Sequence, residues 1–180
     1  MSFVDLDFLS FFPVVFILHW LMRSRGQQNL LLLLASYVFY GWFHPWMMTL
    51  LFSVTAANYF AARAIVRWPA RKDWILGAAI VLSVLNLCAF KYFGWFAAEI
   101  IPKLVGPEEA GRIAALHVVL PLGLSFYTFH NLAYTIDVAR GRLPVRRDPI
   151  DYFLYGSYFP QRDAGPVERP QNVLPQLESA

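Results

Sequence analysis

Residues 26–62 read GQQNLLLLLASYVFYGWFHPWMMTLLFSVTAANYFAA, and no Asp, Glu, Lys or Arg occurs between Arg25 and Arg63. The hydrocarbon core of a bilayer is about 30 Å thick and takes roughly 20 apolar residues of helix. This stretch is too long for one crossing, and it is interrupted at His44-Pro45, where proline disfavours continued helix. It reads as a helical hairpin, with crossings over 27–43 and 46–66. Trp42, Phe43 and Trp46 flank the turn, and Trp68 and Trp74 flank the next loop, as interfacial anchors do.

The same pattern extends outward from the hairpin. A crossing is predicted over 74–98, where Lys91 is the only charge, and another over 113–138, with Pro121 and Gly123 inside it. Residues 8–22 form a shorter apolar stretch containing Pro13, which crosses tilted or dips into the membrane without spanning it. After Arg140 to Arg147, the aromatic run from Ile150 to Gln161 is too short to span as a helix, so 150–170 reads as a re-entrant or interfacial segment. The sequence therefore predicts an all-α membrane protein, with about five transmembrane helices plus that C-terminal segment in one domain covering 1–180.

Composition agrees, since 58% of the 180 residues are hydrophobic and only 15% are charged, which lies outside the soluble globular range. The basic residues sit between apolar blocks and form no continuous patch, which suits membrane loops and argues against nucleic acid. Lys and Arg alternate between successive connections, nine against two, so the positive-inside bias predicts an N-terminus facing out of a cytoplasmic, multi-pass membrane. Asp5 and Asp7 replace the basic start of a secretory signal, and Arg23-Ser24-Arg25 stands where small cleavage-site residues would, so the first helix is expected to remain.

The chemistry-bearing residues are few. Cys88 is the single cysteine, and the histidines at 19, 44, 117 and 130 never fall at the i, i+4 spacing of helical metal ligands, so no metal site is expected. Ser125 lacks a Gly-x-Ser-x-Gly frame. Lys91 is expected to lie inside its span and to extend its ammonium to the interface, and Asp137 to pair with Arg140. His130 lies within LPLGLSFYTFHNLAYTIDV with Ser125, Tyr127, Thr128, Asn131, Tyr134 and Thr135. An ionisable group in hydrocarbon is costly and often functional, but a neutral imidazole can also bond a neighbouring helix. Two readings stand open for this block, polar packing between helices or a polar tunnel. The stretch 159–170 stays open too: its prolines and glycines exclude one smooth helix, leaving a buried cavity wall or a loop at the headgroups.

Five blocks together, FFPVVFILHW, QNLLLLLASYVFYGW, FKYFGWF, LPLGLSFYTFHNLAYTIDVARG and YFPQRDAGPVERPQNVLPQL, resemble in content and order the membrane-bound O-acyltransferase family, in its bacterial alginate O-acetyltransferase-like branch. The last two are the specific ones. The resemblance covers nearly the whole chain and matches the N-terminal portion of such a protein. It implies transfer of an acyl group, commonly acetyl, to a hydroxyl of an extracytoplasmic polysaccharide or cell-envelope acceptor. The implied donor is acetyl-CoA or an acyl-carrier protein, and implied partners are an acyl-relay protein or a C-terminal half. An imidazole suits that reaction, because it titrates near neutrality and can take the proton of an attacking hydroxyl.

The family's catalytic histidine lies in its C-terminal half, so no catalytic residue is expected in this chain, which alone is expected to be inactive. His130 stands where the family usually has glutamine, and Arg162-Asp163 where it usually has two apolar residues. By position in the resembling blocks, Tyr127, His130, Tyr134, Gln161, Gly165, Pro166 and Arg169 are candidates for lining a cavity, with Arg169 able to steer an anionic donor or acceptor. Other readings are a non-catalytic membrane scaffold subunit, a transporter fragment, or a small protein that pairs with another half.

Overall fold

The computed structural model describes residues 6–42, 45–106, 123–158 and 170–171, and among these every regular element is helical. Six helices carry the architecture: α1 (Leu6–Leu21), α2 (Arg25–Gly41), α3 (Trp46–Arg67), α4 (Lys72–Lys91), α5 (Leu124–Ala139) and α6 (Pro149–Ser157). Their starts are written locally. The Ser24 hydroxyl accepts from the Gln27 amide at 3.4 Å to cap α2, and Pro45 immediately precedes α3. Asp148 caps α6 by accepting from the Ile150 amide at 2.8 Å, with Pro149 at the first helical position, where its missing N–H costs nothing.

α3 is the central post. α2, α4, α5 and α6 all pack on it, α6 also lies against α2 and α5, and α1 is attached through α2. Two helices are long and apolar enough to cross a membrane, Trp46–Arg67 and Pro69–Lys91, the second including a 3-10 turn at Pro69–Arg71. Their surroundings differ: 39% of the apolar window of the first is buried inside the protein against 6% of the second. Leu9, Phe16 and Trp20 on α1 and Val81, Leu82 and Leu85 on α4 are exposed, an apolar surface that water would penalise and a bilayer would not.

Three details depart from the sequence expectation. The helix expected over 74–98 stops at Lys91: Tyr92 takes non-helical angles (φ −107°, ψ 7°) beside the weak helix former Gly94, and a short turn, a π-helical stretch at Phe96–Ile100 and Ile101–Val105 follow. Lys91 is the last residue of α4 and is exposed, its ammonium 5.7 Å from the Tyr92 ring centre.

Of the helix expected from 113 to 138, residues 113–122 lie outside the described residues, and α5 starts at Leu124 because Gly123 is left-handed (φ +70°) and a right-handed helix cannot continue through it. Asp137 pairs with Arg142 at 3.6 Å, not with Arg140. Gly141 (φ +70°) closes α5 by folding the chain back, so that the Arg142 amide bonds the Asp137 carbonyl at 2.9 Å and the Gly141 amide that of Val138 at 3.0 Å.

Candidate functional site

The polar block of α5 faces α3 and α6, and two of its side chains, Asn131 and Thr135, bond directly to them. Asn131 donates to the Tyr127 carbonyl at 2.9 Å and to the Thr55 hydroxyl at 3.5 Å, and it accepts from the Tyr152 hydroxyl at 2.9 Å. One turn on, the Thr135 hydroxyl donates to Asn58 Oδ1 at 3.0 Å, and Asn58 Nδ2 donates to the Val54 carbonyl at 3.0 Å and to Ser83 on α4 at 3.4 Å. These side chains are buried, so each bond removes a desolvation cost that lipid could not relieve. For Asn131 and Thr135, packing between helices is the reading that holds.

Gly156 makes this closeness possible. A Cβ there would lie 2.8 Å from Asn131 Oδ1 and 2.9 Å from Thr55 Cγ2, so only glycine lets α6 settle against both helices. A ring cluster of Tyr59, Tyr134, Tyr152 and Tyr155 surrounds the junction, with centroids of Tyr134 and Tyr152 at 4.7 Å.

Tyr127, His130 and Tyr134 share one stripe of α5, at spacings of three and four residues. Tyr127 meets Tyr40 edge-on at 6.0 Å among Met47, Leu51 and Leu124. The His130 ring stacks on Tyr155 at 4.0 Å and on Phe126 at 5.4 Å, and its carbonyl accepts from the Tyr155 hydroxyl at 3.3 Å. The Tyr134 hydroxyl accepts from the Arg146 amide at 2.8 Å. All three are buried, and two clefts described below are lined by other residues. Gln161, Gly165, Pro166 and Arg169 lie outside the described residues, as do Arg162 and Asp163.

Sequence reasoning passed over Asp151. It is buried in the first turn of α6, where its Oδ2 accepts from Arg25 and its Oδ1 from Asn29, both at 2.8 Å. The carboxylate thus sits against the first turns of α2, a location that both the Arg25 guanidinium and the positive end of that helix favour. Its signal was present as one acid inside an aromatic run directly after Asp148-Pro149, but nothing local says which distant cation it meets. Among the described residues no group of three or more potential ligands could hold a metal ion.

The chain is similar over 94% of its length, at 36% identity, to the probable alginate O-acetylase AlgI of Pseudomonas aeruginosa. It is 36% identical to the protein of the same name in Azotobacter vinelandii over 93% of its length, and 26% identical to a peptidoglycan O-acetyltransferase of Helicobacter pylori over 94%. It spans about a third of the length of these curated relatives, 33%, 34% and 37% respectively. No family model matches the chain. No solved structure matches it either.

Proposed function

We propose that this homologue of the alginate O-acetylases of the membrane-bound O-acyltransferase family forms the front part of an O-acyltransferase. The parent protein moves an acyl group, acetyl by analogy with the names of the relatives, onto hydroxyls of an extracytoplasmic polysaccharide or other cell-envelope glycan. The observation that carries this reading is the 36% identity sustained across 94% of the chain, spanning both the hairpin and the polar block.

The geometry supports a scaffold role for these residues. An acyltransferase has to bring a donor and a sugar hydroxyl together within a membrane, which requires fixed walls. The bonded junction of α3, α5 and α6 is such a wall, cross-linked by Asn131, Tyr152 and Thr135 and clamped to α2 through Asp151. No residue of this chain is assigned as the base. The His130 ring packs flat on Tyr155, an arrangement suited to holding a helix in place. Tyr127, His130 and Tyr134, with Gln161, Gly165, Pro166 and Arg169, are proposed to border the substrate passage of the parent protein. The donor is proposed to be acetyl-CoA or an acyl-carrier protein, with a relay protein as partner.

The membrane arrangement belongs to the same reading: about five crossings in the cytoplasmic membrane, with the N-terminus outside and the Arg-rich loops inside. The test is to delete the gene and measure ester-linked acetate released by mild base from the envelope polysaccharides. A fall in that acetate is the expected result, and an unchanged content would overturn the proposal.

A further inference from the structure

At one end of the bundle, a cleft of about 530 Å³ lies between the end of α3 and the loop leading into α6. Four of its lining residues are arginines, Arg63, Arg67, Arg146 and Arg147, joined by Phe60 and Trp68, and no carboxylate is among the described lining residues. Arg63, Arg67 and Arg147 are exposed there, and such a gathering of like charge attracts an anion. It is also built. The Tyr59 hydroxyl accepts from Arg63 at 2.9 Å and donates to the Arg147 carbonyl at 3.2 Å, while buried Tyr134 holds the Arg146 amide at 2.8 Å. The loop that carries two guanidiniums is thereby fixed against the helix that carries the other two. Of the acids flanking that loop, Asp148 is on the α6 amide, Asp151 with Arg25 and Asp137 with Arg142.

A second cleft, of about 520 Å³, runs along the groove between α3 and α4, lined largely by small and apolar side chains such as Ala57, Ala61, Ala78 and Leu82, with Asn58, Ser83 and Asn86 also in its wall. Phe60 and Ala64 line both. A basic cleft thus adjoins a largely apolar groove, with Phe60 and Ala64 between them. That is the shape and polarity of an amphiphile with an anionic head, since Arg binds phosphate oxygens bidentately and the groove accepts methylenes.

We propose that this double cleft is a binding site for a phosphate anion presented by a phospholipid, its headgroup phosphate among Arg63, Arg67, Arg146 and Arg147 and one acyl chain in the α3–α4 groove. The site stands apart from the acyl-transfer reading and does not depend on it.

The test uses the full chain purified in neutral detergent, with phosphatidylglycerol and phosphatidylcholine of the same acyl chains as probes and retained lipid counted by native mass spectrometry. The wild type is expected to retain phosphatidylglycerol preferentially. Arg67→Gln and Arg147→Gln, both at exposed positions, are each expected to lower that preference about fivefold, the factor matching one surface cation near an anionic lipid. Arg71→Gln, outside the cleft, is expected to leave it unchanged. Ala61→Leu, which fills the groove, is expected to weaken retention of both lipids. Displacement of phosphatidylglycerol by millimolar inorganic phosphate with no effect of Ala61→Leu would keep the phosphate site but assign it to a soluble phosphate compound. Equal retention of the two lipids by the wild type, or an unaltered preference in both arginine variants, would overturn the proposal.

Discussion

Asp151 shows how much one side chain can join. It connects α6 to Arg25 and Asn29 on α2, residues 126 and 122 positions away. Asp151→Ala leaves Arg25 without this partner, but Arg25 retains 37% exposure of its side chain and can turn to water, which moderates the loss. The expected cost is about 2 kcal/mol, the scale of hydrogen bonds to a charged group. Thermal unfolding in detergent, followed by tryptophan fluorescence, reads it; a melting temperature equal to wild type would show that the clamp contributes nothing.

Gly156 makes the complementary case. Gly156→Ala forces a methyl group against Asn131 and Thr55, and overpacking of this kind costs about 1–3 kcal/mol. Gly41→Ala meets only the flexible Met48 side chain and is expected to cost less. The same unfolding assay ranks the two, and the reverse order would show that α6 is not held by close approach.

At the level of elements, the sequence was most legible where charge and proline punctuate it. The break at His44-Pro45 lies between α2 and α3, and the charges at Arg67 to Lys72 lie where α3 gives way to α4. Less legible were the places where backbone conformation decides. Gly123 and Gly141 both adopt positive φ, and each sets a helix boundary that hydropathy does not mark. Hydropathy likewise ran past Tyr92, because an aromatic residue reads as continuous apolar helix whether or not its angles are helical. α6 was recognised as too short to span. Its seat among α2, α3 and α5 could not be read, because that seat rests on side-chain pairs remote in sequence. Within the polar block, the residues were legible but their partners were not: Asn131 and Thr135 find theirs 76 and 77 positions away.

For the whole molecule, the Arg-rich connections fix the expected orientation. With Cys88 replaced by Ser, cysteines introduced at Arg71 and Lys103 should differ toward a membrane-impermeant maleimide applied to intact cells. Lys103→Cys is expected to be labelled and Arg71→Cys protected until the membrane is opened. The opposite pattern would invert the topology and place the arginine cleft outside.

The most direct test of the central account restores the intact gene to the deletion strain and measures ester-linked acetate in the envelope polysaccharide, beside an Asp151→Ala version expressed to the same level. The account predicts that the wild-type gene returns the acetate, and that the Asp151→Ala gene returns it in proportion to the folded protein in the membrane. Membranes that contain the folded wild-type protein and polysaccharide that still gains no ester-linked acetate would contradict it.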